Sequence, residues 1–81
     1  MRVRIRLFAS LRETAGAPEL ALELAPGATA EDAWARLASD LPALAPRRAS
    51  LAASVNRRYA PFDTVLHDGD EVAFIPPVSG G

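Results

Sequence analysis

Thr29-Ala30-Glu31-Asp32-Ala33-Trp34-Ala35-Arg36-Leu37-Ala38-Ser39-Asp40-Leu41 is the stretch that decides how this chain folds. Ala30, Ala33, Trp34, Leu37, Ala38 and Leu41 recur at helical spacing and form a single apolar stripe about three turns long. Glu31, Asp32, Arg36, Ser39 and Asp40 fall on the opposite side. Thr29 is placed to cap the first turn, and Asp32 to complement its positive end. Pro42 and Pro46 end the helix, because proline has no N–H to continue the ladder. Trp34 sits in mid-stripe, which assigns it to a core rather than to a binding site. One helix with one apolar side needs one layer to cover it, and the flanking sequence supplies strands.

Upstream, Val3, Ile5 and Leu7 alternate with Arg2, Arg4 and Arg6, the period of a half-buried strand. Phe8 then falls on the arginine side. Ser10-Leu11-Arg12-Glu13 has the spacing of a capping box, and Gly16 and Pro18 close the short helix it opens. Glu19 to Leu24 forms a second strand, with Leu20, Leu22 and Leu24 on one face. Pro26-Gly27 is a turn.

Downstream, Leu51, Ala53 and Val55 predict a third strand, which turns at Asn56-Arg57-Arg58 into an irregular segment from Tyr59 to Leu66. His67-Asp68-Gly69-Asp70 is a turn, and Glu71 to Ile75 a last strand with Val72 and Phe74 inward. We place that strand centrally beside the first. The expected fold class is α+β, a roll in which a mixed sheet packs on one main helix.

Composition excludes most chemistries. The chain has no cysteine, so disulfides, thiol nucleophiles and thiolate metal sites are all absent, and one histidine is too few for a protein-only zinc site. All nine cations are arginine, leaving no side-chain amine to accept an isopeptide bond. A net charge of −1 without charged blocks points to neither nucleic acid nor membrane as partner. With no signal-peptide pattern and no spanning stretch, the expected location is the cytoplasm. Asp68-Gly69-Asp70 lacks the further ligands of a calcium loop. His67-Asp68 lies on an exposed turn, and the Arg57-Arg58 pair fits a solvated hairpin tip better than a phosphate site. An enzyme complete in itself is not expected.

The remaining segment is Pro76-Pro77-Val78-Ser79-Gly80-Gly81. Two prolines stiffen its exit from the sheet, and two glycines fit a channel too narrow for side chains. Six residues at ~3.3 Å each reach ~20 Å, far enough to enter another protein's active site.

Asp68 through Gly81, with its Pro-Pro-Val-Ser-Gly-Gly ending, resembles the end of the MoaD family, the small subunits of molybdopterin synthase. The opening Leu7-Phe8-Ala9-Ser10-Leu11-Arg12-Glu13, with Gly16, is similar to that family's N-terminal motif, and Val55-Asn56 to its third-strand turn. The resemblance spans the whole chain. It implies a β-grasp, ubiquitin-like domain over residues 1–75 and an extended tail over residues 76–81. It implies that the Gly81 carboxylate, with Gly80 beside it, is the working group. An adenylating enzyme of the ubiquitin-activating type uses ATP to make an acyl-adenylate, and a sulfur donor converts it to a thiocarboxylate. The tail then enters the large subunit, MoaE, in a heterotetramer, and gives sulfur to cyclic pyranopterin monophosphate during molybdenum cofactor biosynthesis. The chain itself is expected to bind no cofactor and no metal.

Strand alternation puts Phe8 and Ile75 on the outer side of neighbouring strands, with Tyr59 at one edge. These three are expected to centre the partner interface, continued by Pro76, Pro77, Val78 and Ser79. Two other readings stay open: another Gly-Gly sulfur carrier, serving thiamin or tRNA thiolation, and a β-grasp interaction module without terminal chemistry.

Overall fold

A computed structural model describes residues 1–77 of the chain. Strand β1 (Arg2–Leu7) leads into helix α1 (Ala9–Ala15), strand β2 (Glu19–Glu23) and helix α2 (Ala30–Asp40). A 3-10 stretch (Pro42–Ser50) then precedes strands β3 (Ala52–Val55), β4 (Arg58–Ala60) and β5 (Glu71–Ile75). The five strands form one sheet in the order β2-β1-β5-β3-β4. β1 and β5 run parallel at its centre, and the other pairs are antiparallel. This is the mixed sheet on one main helix that the sequence predicts.

The alternation of β1 is borne out: Val3, Ile5 and Leu7 are buried, Arg2 and Arg4 are exposed and Arg6 is half-buried. Val72 and Phe74 of β5 are fully buried beneath α2. Trp34 meets Phe74 edge-on with centroids 5.1 Å apart, and Phe62 stacks on the same ring at 6.0 Å. Trp34 is thus a core residue, as its place in the stripe requires. Ala30, Ala33 and Leu37 complete the stripe. Thr29 caps α2 reciprocally with Asp32: the Asp32 N–H donates to Thr29 Oγ1 and the Thr29 N–H to Asp32 Oδ2.

Two expectations need correction. Ser10 does not cap α1; the helix starts at Ala9 with Phe8 at the cap position and no side-chain cap. The chain must turn as soon as β1 ends, and Ala9 takes a left-handed φ of 50° to do so. The Ser10 hydroxyl instead accepts a hydrogen bond from Arg47 Nη2 at 2.6 Å. Secondly, the segment from Tyr59 is not irregular throughout. Arg58–Ala60 pairs with β3 across a two-residue turn, Asn56-Arg57, whose φ values of 51° and 70° match the twist of a tight hairpin. Beyond α2, where no element was expected, the chain from Pro42 winds into a 3-10 stretch and buries Leu44.

That stretch is clamped to α2. Arg48 donates to both carboxylate oxygens of Glu31, at 2.7 to 3.1 Å, and its guanidinium lies 3.4 Å from the centroid of Phe62. The hydrogen bonds from Arg48 hold the Glu31 carboxyl below its usual range and raise the Arg48 value in return. No helix among the described residues is long and apolar enough to cross a membrane.

Candidate functional site

Leu7 and Phe74 are partners across the central parallel pair and both point into the core. Because side chains alternate, the next residue on each strand faces the other side. Phe8 and Ile75 therefore lie together where β1 and β5 end. They line one groove of about 700 Å³ with Ser10, Arg47, Pro76 and Pro77. Phe8 is 37% exposed and Ile75 half-buried. The left-handed turn at Ala9 leads α1 away from this spot, and the 3-10 stretch brings Arg47 across to the Ser10 hydroxyl. The result is an apolar groove with one cation at its wall, at the root of the tail.

Tyr59 is placed differently. It pairs with Ser54, which pairs with Ala73 of β5, so Tyr59 shares the outer face with the groove. It stands on β4, two strands from Ile75 or roughly 10 Å away. At 78% exposure it borders a separate hollow with Ala52 and Pro61. The sheet thus brings Phe8, Ile75, Pro76 and Pro77 together and leaves Tyr59 apart on the same face. Val78, Ser79, Gly80 and Gly81 lie outside the described residues.

One cluster on this face was missed by the sequence reading. Glu71, only 8% exposed, is ringed by Arg4 at 3.6 Å, Arg6 at 3.9 Å and Arg57 at 3.4 Å. Alternation already put Arg4 and Arg6 on this face. Bringing Glu71 opposite Arg4 required the β1–β5 register. Asn56 closes the ring, since its Oδ1 accepts from the Glu71 N–H and its Nδ2 donates to Asp70 Oδ1, each at 3.0 Å. Arg6 also lies over Phe8, with its guanidinium 5.3 Å from the ring centroid.

The family model described as the ThiS family matches residues 5–81. The chain belongs to the ThiS family. Among relatives of this ThiS-family chain, the molybdopterin synthase sulfur carrier subunit of Chlamydomonas reinhardtii is 42% identical over 83 residues, covering the whole of both chains. The crystal structure of SAMP1 from Haloferax volcanii superposes with a TM-score of 0.91 at 31% identity, again over the whole of both chains. The complex of subunits 1 and 2 of the molybdopterin-converting factor from Helicobacter pylori contains a chain of the same fold. Its TM-score is 0.71 at 22% identity, over the whole of both chains. The α+β, ubiquitin-like β-grasp architecture is therefore that of the ThiS family.

Proposed function

We propose that this chain is the sulfur carrier subunit of molybdopterin synthase and that the Gly81 carboxylate is its working group. The observation that carries this reading is full-length identity of 42% to a sulfur carrier subunit, in a chain with no thiol of its own. The groove at the root of residues 76–81 supports it, since a carrier must dock its body while its end reaches elsewhere.

The chemistry needs little from the carrier beyond that end. A carboxylate is a poor electrophile, so its oxygen first attacks the α-phosphorus of ATP and releases pyrophosphate. The resulting acyl-adenylate offers AMP as leaving group. Sulfur from a donor then replaces AMP, and one carboxylate oxygen has been exchanged for sulfur. The thiocarboxylate is a soft nucleophile: its sulfur attacks cyclic pyranopterin monophosphate within the large subunit, and water then cleaves the Gly81 C–S bond, leaving the sulfur on the pterin and returning the carboxylate. Acid–base groups and pterin contacts come from that partner, because residues 76–81 carry no ionisable side chain. Phe8 and Ile75 centre the docking face for the large subunit, with Tyr59 apart on the same side of the sheet.

The decisive experiment is intact-mass analysis after incubation with the adenylating enzyme, ATP and a sulfur source. The expected product is heavier by one sulfur less one oxygen, with the change mapped to Gly81. Gly80→Phe is expected to abolish onward transfer while the domain melts normally. Sulfur on an internal residue, or full transfer from Gly80→Phe, would exclude this reading.

A further inference from the structure

We propose that the arginine ring around Glu71 is a docking face for an acidic patch on the protein that receives the tail, an inference that rests on the sulfur-carrier reading above. Arg4, Arg6, Arg12 and Arg57 line one shallow hollow of about 370 Å³, and among the described residues the only carboxylates there are Glu19 and Glu71. Four cations against two anions leave an excess of positive charge on this face, in a chain whose net charge is −1. The acidic surplus must lie elsewhere on the molecule.

The pairing within the ring is loose. Arg4 and Arg6 approach Glu71 at 3.6 and 3.9 Å without a hydrogen bond, and Arg57 makes one long bond at 3.4 Å. Each guanidinium has five N–H donors, so most of them remain free to bind outward. The side chains of Arg4, Arg6 and Arg57 are 59%, 40% and 80% exposed, whereas that of Glu71 is 11% exposed. Glu71 gathers the three arginines without consuming them.

The layout favours a protein surface over a small anion. The cations extend from β1 across β5 to the β3–β4 turn, roughly 10 Å of sheet. A phosphate at the centre would meet the Glu71 carboxylate. Separate carboxylates on a facing surface avoid it and engage single arginines in the two-pronged geometry that guanidinium favours. The ring is also continuous with the groove at the tail root, because Phe8 lines both hollows and stacks with Arg6. An aromatic anchor flanked by charge is a docking arrangement in which the charges set encounter rate and orientation.

The test is calorimetric titration of the carrier into the synthase large subunit from the same organism, at low and high salt. Arg6→Gln combined with Arg57→Gln is expected to weaken binding roughly tenfold at low salt and to flatten the salt dependence. The corresponding double lysine variant, which keeps the charges, should retain that dependence. Arg36→Gln, on α2 beyond the opposite face, should bind as wild type. Thermal melts confirm that each variant is folded. Wild-type affinity and salt dependence in the double glutamine variant would overturn the inference while leaving the carrier reading intact. Equal weakening by Arg36→Gln would overturn it as a net-charge effect. Saturable binding of inorganic phosphate, lost in the double variant, would overturn it in favour of a small-anion site. Failure of the wild-type carrier to bind would reject the carrier reading along with it.

Discussion

Leu7 stands opposite Phe74 in the central parallel pair, and this single registration puts Phe8 beside Ile75 on the other face of the sheet. The two core residues hold the strands in place. The two residues after them line the groove beside Pro76 and Pro77. Core packing and the proposed docking groove are thus set by adjacent positions on the same two strands.

Phe8→Ala separates these roles. Phe8 touches the groove and the Arg6 guanidinium rather than the core, so its loss should cost the free domain little. Binding to the large subunit should weaken by about 1–3 kcal/mol, the ordinary range for an aromatic anchor. Calorimetry beside thermal melts of the isolated domain checks both halves. A variant that binds normally but unfolds early would place Phe8 in the core.

Asn56→Gly isolates side-chain bonding from backbone strain. Glycine accepts the left-handed φ of 51° freely, but it removes the bonds to Asp70 and to the Glu71 N–H. We expect a net loss of about 1 kcal/mol in urea unfolding. A gain in stability would mean that the strain at Asn56 outweighs its hydrogen bonds.

Glu31 sets part of the acid limb of stability. Its carboxyl is held below the usual range by hydrogen bonds from Arg48, reinforced by the charge of Arg48, against partial desolvation and nearby Asp32. A depressed folded value means that the contribution is fully present above the ordinary carboxylate value. It is lost as pH falls through the lower, folded one. Glu31→Gln should therefore lower stability near neutral pH and make no difference in strong acid. The side chains of the pair are 35% and 48% exposed, which limits the effect to below about 1 kcal/mol. Denaturant titrations across the acid range of wild type and variant would show whether the two curves converge.

The alternation of Val3, Ile5 and Leu7, the stripe from Ala30 to Leu41 and the inward register of Val72 and Phe74 are all legible in the sequence. Each depends only on whether a side chain meets water or core within its own element, and periodicity records that directly. The Phe8–Ile75 groove followed from the same counting once the two strands were taken as neighbours.

What tertiary structure alone decided is non-local. Ser10 has the spacing of a cap, yet its hydroxyl is taken by Arg47, 37 residues away. Tyr59 lies on a strand whose three residues have little pattern of their own; pairing with β3 makes them one. The ring at Glu71 joins β1, β5 and a turn 14 residues before it, and nothing local marks those residues as partners. By itself the sequence determined which faces are apolar and where the strongly periodic elements lie, because those are short-range consequences of hydrophobicity and backbone geometry. The sheet decided which charges meet, because strand order and register bring together side chains that the chain holds far apart.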